Sequence, residues 1–89
     1  MVRVHVMISG KVQGVWFRAS TQQKAETLGI TGWVRNTREG NVEAVFEGTE
    51  DAVQQMVAWC HHGPPLSKVT HVVVQDEPAS STFDTFMVR

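Results

Sequence analysis

Apolar and polar residues alternate at the start of the chain, and this pattern predicts a β-strand with one buried face. The buried side would carry Val2, Val4, Val6 and Ile8, and the opposite side Arg3, His5, Met7 and Ser9. A period of two is typical of a strand in a sheet that is covered on one side only. One face of the predicted sheet is therefore expected to be open.

A first helix is predicted over residues 17–28. Apolar or small residues recur there at helical spacing within an otherwise polar stretch, namely Phe17, Thr21, Ala25 and Leu28. Gly29 follows, and a glycine readily takes the left-handed conformation that ends a helix.

A second helix is predicted after Thr49, which is a good N-cap residue. Four apolar residues fall at positions i, i+3, i+4 and i+7 of this stretch, namely Val53, Met56, Val57 and Cys60. This spacing gives the helix one apolar face, and the pair Pro64 and Pro65 limits its extent.

The remaining pattern predicts strands at 30–36, 41–47 and 69–75, with a last strand or terminal extension at 83–88. A turn at 37–40 makes the first two of these a hairpin, and 78–81 is a loop. The order strand, helix, strand, strand, helix, strand favours an α+β fold of the ferredoxin-like split βαβ type (βαββαβ). Its mostly antiparallel sheet would carry both helices on one face.

Size and composition limit the classes of function. The 89 residues suffice for one domain, 1–89, and a net charge of -1 argues against a general binder of polyanions. Cys60 is the only cysteine, so no disulfide within the chain is expected. Neither a membrane-length apolar run nor a secretory signal is present, which favours the cytoplasm.

Candidate chemistry is concentrated between Gly10 and Arg18, read G-K-V-Q-G-V-W-F-R. The glycines allow backbone N–H groups to converge, the following helix adds its first-turn N–H groups, and Arg18 offers a planar set of donors. This combination suits an anion, although an ordinary strand-to-helix turn with Arg18 in solvent fits the stretch equally well. In the predicted topology Asn36, 18 positions after Arg18, reaches the same edge of the sheet.

Two stretches, G-K-V-Q-G-V-W-F-R at 10–18 and G-W-V-R-N-T-R-E-G-N-V at 32–42, resemble the signature motifs of the acylphosphatase family. The resemblance extends over essentially the whole chain. It implies hydrolysis of the carboxyl-phosphate bond of a small-molecule acyl phosphate, without metal, cofactor or phosphoenzyme intermediate. Many members end in an aromatic residue where this chain has Val88 and Arg89, which leaves open how the last strand is anchored.

The resemblance also implies roles for individual residues. Arg18 and Asn36 would be catalytic, with Arg18 binding the phosphate and Asn36 orienting the attacking water. Backbone N–H groups would assist in phosphate binding, from Gln13, Gly14, Val15, Trp16 and Phe17. A monomer that binds neither nucleic acid nor membrane is expected.

Other chemically capable residues have simpler interpretations. Trp16 and Trp33 flank the motif residues, and packing in the core or on the surface is favoured over contact with an acyl group. Pairing of their strands could bring His5 and His71 face to face, but no carboxylate or cysteine lies beside them in the sequence to complete a metal site. Cys60 lies on the apolar face of its helix and is expected to be inert.

Two other functions fit the same fold. RNA-binding domains share the layout, but they stack bases on aromatic side chains of the central strands. The positions expected to be exposed here lack aromatics and include acids: Arg3, His5, Met7, Ser9, Glu43, Val45 and Glu47. The second alternative is a phosphate sensor without activity, or a domain that serves a carbamoyl-phosphate pathway.

Overall fold

The computed structural model describes all residues, 1–89. Five strands and two helices follow one another as β1 (Val2–Lys11), α1 (Phe17–Leu28), β2 (Thr31–Asn36), β3 (Val42–Gly48), α2 (Glu50–Cys60), β4 (Lys68–Glu77) and β5 (Phe86–Val88). The strands form one sheet in the order β4-β1-β3-β2-β5. Only the β2–β5 pair is parallel, so the expected ferredoxin-like fold with a mostly antiparallel sheet is confirmed.

The first strand runs slightly further than the alternation predicts. It continues through Gly10 to Lys11, and its pairing with β4 shifts register between Ser9 and Gly10. Gly10 has a φ of 125°, and a Cβ there would lie 2.1 Å from the backbone oxygen of Lys68. A glycine is therefore required for β4 to approach so closely.

Both helices have the ends that their sequences predict. Gly29 is left-handed with a φ of 71° and caps α1, donating its N–H to carbonyl oxygens of the last turn. Thr49 caps α2, because its hydroxyl oxygen accepts a hydrogen bond from the N–H of Ala52 at 3.2 Å. Glu50 and Asp51 lie in the first turn of α2, where negative charge is favourable.

The core lies between the helices and one face of the sheet. Its buried side chains come from alternate positions of β1 and β3, from both helices, and from β2, β5 and the loop after β1. Phe46 stacks on Phe86 with ring centroids 5.8 Å apart, which ties β5 to the centre of the sheet. Phe17, the first residue of α1, meets Trp59 of α2 edge-to-face. The packing of Phe17 therefore fixes where α1 begins.

The other face of the sheet is less open than expected. Residues 78–85, here termed the crossing segment, connect the two edge strands, and the N–H of Ser80 donates to the Glu47 carboxylate at 2.8 Å. Arg3 donates to the Ser80 hydroxyl and places its guanidinium over the ring of Phe83. The prediction that Val45 and Glu47 are exposed is wrong, since both are buried.

The strands that carry His5 and His71 do pair, but the two histidines do not face each other, because the register places Gln75 opposite His5 and Ser9 opposite His71. His5 instead lies 2.6 Å, Nε2 to Oε2, from Glu43, whose other oxygen accepts a hydrogen bond from Arg35. The hydrogen bond with His5, aided by Arg35, lowers the pKa of Glu43 despite the opposing effect of desolvation.

No helix in the fold has the length and apolarity needed to cross a bilayer.

Candidate active site

The loop between β1 and α1 presents a row of free backbone donors. Gly14 and Trp16 both have left-handed backbones, with φ of 74° and 64°. Alternation of this kind turns successive N–H groups toward one side and forms an anion-binding concavity. The N–H groups of residues 13–17 donate no hydrogen bond to another backbone group. Trp16 is the N-cap of α1 and contributes no side-chain bond, so the first turn also keeps its donors.

The loop lies beside a cleft of about 560 Å³ on the surface at the start of α1, and Gly14, Trp16 and Phe17 of the donor row line it. Its lining is contributed by the loop, α1, the end of β2 and β5, namely Val12, Gly14, Trp16, Phe17, Arg18, Ala19, Gln22, Asn36 and Val88. Arg18 is the one charged residue among them. The cleft therefore combines a single cation with backbone donors, which suits a small anion.

Arg18 lies in the first turn of α1, and a hydrogen bond holds the guanidinium at the end of its side chain. Its Nη1 donates a hydrogen bond to the backbone oxygen of Arg89 at 2.9 Å. The main chain of Arg89 is itself bonded to β2, since its N–H donates to the oxygen of Val34 at 2.8 Å. One edge of the guanidinium is thus fixed, and its remaining N–H groups are available to a ligand in the cleft.

Asn36 ends β2 and lines the same cleft as Arg18. The adjacent hairpin turn is held by the N–H of Thr37, which donates to the oxygen of Asn41 at 2.9 Å, and by the Thr37 hydroxyl. An amide side chain at this position can both donate and accept hydrogen bonds. The topology therefore brings Arg18 and Asn36 to one site, as the sequence predicts.

Gln13 and Val15, two of the five residues expected to offer backbone N–H groups to the phosphate, are not among the residues that line the cleft. Val15 is buried in the core. Gln13 donates from Nε2 to the backbone oxygens of Thr37 and Asn41, at 2.8 Å each. It therefore ties the loop to the turn that follows Asn36. Sequence reasoning missed this connection, because only the β1–β3–β2 pairing brings the turn beside the loop.

The two tryptophans near the motifs have different environments. Trp33 lies under the guanidinium of Arg89, with the cation 4.5 Å from the ring centroid. Trp16 is 77% exposed on the rim of the cleft, so packing does not account for its presence. The preference for a packing role therefore suits Trp33 and is wrong for Trp16.

The cleft contains none of the usual side-chain bases, nucleophiles or metal ligands. None of the lining residues is a histidine, cysteine, serine or carboxylate. No group of three or more His, Cys, Asp or Glu side chains comes together anywhere in the fold. Cys60 is fully buried, and desolvation raises its pKa to about 12, so the reactive thiolate is suppressed. Chemistry at this site therefore depends on positioning and charge.

Comparison with known proteins agrees with this geometry. The family model described as Acylphosphatase matches residues 4–88. An acylphosphatase of Rubrobacter xylanophilus is 56% identical over 98% of this chain and 79% of its own length. One from Methylococcus capsulatus is 50% identical over 99% of this chain and 96% of its own. The crystal structure of acylphosphatase from Bacillus subtilis superposes with a TM-score of 0.96, at 35% identity, over 100% of this chain and 99% of that one. The chain therefore belongs to the acylphosphatase family of enzymes.

Proposed function

We propose that the protein hydrolyses the carboxyl-phosphate bond of acyl phosphates, without a metal ion, to a carboxylate and inorganic phosphate. Arg18 and the N–H groups of residues 13–17 bind the phosphate, and Asn36 orients the attacking water. The observation that supports this mechanism is the meeting of Arg18 and Asn36 at one cleft with Gly14, Trp16 and Phe17, whose N–H groups have no backbone partner.

The phosphate-binding role follows from the donors in the cleft. Phosphoryl transfer spreads negative charge over three equatorial oxygens, and fixed donors aimed at those oxygens stabilise the transition state. The loop amides and the free edge of Arg18 supply such donors. Because Nη1 of Arg18 is held by the oxygen of Arg89, the guanidinium needs little reorganisation when substrate binds.

The attacking water requires orientation more than activation by a protein base. The Asn36 side-chain oxygen accepts a hydrogen bond from one O–H of the water. The other proton moves to a phosphate oxygen of the substrate as the bond from water to phosphorus forms and the bond from phosphorus to the carboxylate breaks. The departing carboxylate is the conjugate base of an acid with a pKa of about 4, so it leaves without protonation. The lack of a side-chain nucleophile in the cleft favours direct attack by water over a phosphoenzyme.

The test is phosphate release from benzoyl phosphate and from a phosphate monoester, with and without a chelator. The wild type should hydrolyse only the acyl phosphate, and the chelator should have no effect. Arg18→Ala should lower kcat/KM by about 10³-fold or more, and Asn36→Ala by about 10² or more. Near-normal turnover by either folded variant contradicts its assigned role, and loss of wild-type activity on chelation contradicts the metal-free mechanism.

We further infer a cytoplasmic monomer that does not bind nucleic acid. The sole cysteine is free and buried. The exposed face of β1 and β3 offers no aromatic platform, and Trp33 on β2 is covered by Arg89. Salt-dependent binding of RNA without turnover of acyl phosphate would favour the rival function of an RNA-binding module.

A further inference from the structure

We propose that Trp16 is a specificity-determining residue whose ring contacts the acyl group, so that the protein favours acyl phosphates with aromatic or extended apolar acyl groups. This inference rests on the proposed function. It concerns only the side chain of Trp16, whereas phosphate binding uses the backbone of the same residue.

The backbone at position 16 is the first reason. A φ of 64° is left-handed, a conformation that glycine adopts without cost and a bulky residue rarely adopts. The concavity requires this conformation, but it does not require a side chain. A tryptophan in this place has a strained backbone, and such strained residues cluster at functional sites.

The environment of the ring is the second reason. Trp16 is 77% exposed, so burial of its ring contributes little to folding. A large exposed aromatic side chain on the rim of a cleft is a typical contact surface for a ligand.

The distribution of apolar residues in the cleft is the third reason. Val12 and Phe17 are almost completely buried and form its floor, whereas Trp16 and Val88 are exposed and form its rim. The phosphoryl group is matched by Arg18 and the loop amides at the start of α1. The acyl substituent on the opposite side of the scissile bond then projects toward the apolar rim, where an aromatic ring can stack on Trp16.

The chemistry of this contact predicts a particular kinetic effect. The acyl substituent takes no part in bond breaking, so its contact with Trp16 is equally strong in the ground state and in the transition state. Uniform binding of this kind changes KM and leaves kcat almost unaltered. A mutation that disturbed the loop would instead lower kcat for every acyl phosphate.

The experiment compares kcat and KM for benzoyl phosphate and acetyl phosphate in the wild type, Trp16→Gly and Trp16→Phe. Glycine keeps the left-handed backbone and removes the ring, and phenylalanine keeps an aromatic surface. Trp16→Gly should lower the ratio of kcat/KM for benzoyl over acetyl phosphate by about 10-fold, mainly by raising KM for benzoyl phosphate. Trp16→Phe should stay within about 3-fold of the wild-type ratio.

Two controls separate the side chain from the loop. Leu66→Ala removes another exposed apolar side chain, one that does not line the cleft, and should leave the ratio unchanged. The inhibition constant of inorganic phosphate, which has no acyl group, measures whether the phosphate-binding amides of the loop are disturbed in Trp16→Gly. Equal losses on both substrates, or an unchanged ratio, would overturn the role of Trp16 and leave acyl phosphate hydrolysis intact. A wild type inactive on both substrates would instead overturn the proposed function, and this inference with it.

Discussion

The guanidinium of Arg18 donates a hydrogen bond to the backbone oxygen of Arg89, at 2.9 Å and 71 positions further along the chain. The same Arg89 donates its N–H to Val34 and stacks its side chain on Trp33. The sheet edge therefore orients Arg18 through main-chain atoms, and the side chain of Arg89 only strengthens the attachment.

This relationship predicts different results for removing Arg89 and for truncating its side chain. Deletion of Arg89 removes the acceptor of Arg18 and should lower kcat/KM by about 10-fold through loss of orientation. Arg89→Ala keeps the backbone oxygen and should stay within about 3-fold, with stability reduced by about 0.5–1 kcal/mol from the lost contact with Trp33. Steady-state kinetics and denaturant unfolding measure both effects. Equal kinetic losses in the two variants would show that the side chain matters as much as the main chain.

Gln13 offers a second test of how the site is held. Gln13→Leu removes both hydrogen bonds to the hairpin turn, at 2.8 Å each, and should lower kcat/KM by about 10-fold and stability by about 1–2 kcal/mol. Kinetics and thermal unfolding of the same preparation measure the two effects. Gln55→Leu is the matched control, since Gln55 makes an exposed side-chain bond to Asp51. An effect no larger than that of the control would mean that the loop keeps its position unaided.

The pH dependence of stability should report on Glu43. Its folded pKa is lowered by the hydrogen bonds with His5 and Arg35, so it stabilises the fold above the unfolded value of about 4.3. This contribution to the free energy of unfolding is lost as the pH falls through the lowered pKa of Glu43 in the folded protein. Glu43→Gln should therefore cost about 1–2 kcal/mol at pH 7 and almost nothing at the lowest pH where the fold persists. Urea unfolding at several pH values tests this, and a cost that does not vary with pH would contradict it.

Cys60 should report on global unfolding. With a pKa of about 12 and no exposed surface, its thiolate is rare at pH 8 and its sulfur is inaccessible. A disulfide reagent should label it at least about 10³-fold more slowly in the native protein than in denaturant. Cys60→Ser should retain activity while losing about 1–3 kcal/mol of stability, because a hydroxyl would replace the thiol in an apolar site. Rapid native labelling would show that α2 opens locally.

The elements of the fold could be predicted because each has a strong local signal. The alternation in β1, the apolar repeats of both helices, and the caps Gly29 and Thr49 all appear in the structure. The register could not be predicted in the same way. His5 faces Glu43 and Gln75 because strand pairing is set by the whole sheet, including the shift at Gly10, and local residue types do not determine it.

Part of the site could also be predicted. The motifs indicated Arg18 and Asn36, and the topology brings both to one cleft. The anchoring of Arg18 by Arg89 and of the loop by Gln13 depends on backbone acceptors, which have no sequence signal. The burial of Glu47 likewise depends on the path of the crossing segment, which the composition of residues 78–85 does not specify.

The position of β4 at the edge, beside β1, has a consequence for the kinetics of folding. Arg3 binds Glu77 although 74 positions separate them, so this edge cannot form until most of the polypeptide has been brought together. The entropy of closing such a large loop must be overcome before any β1–β4 bond is gained. Refolding should therefore take milliseconds to seconds, with the β1–β4 ladder completed late.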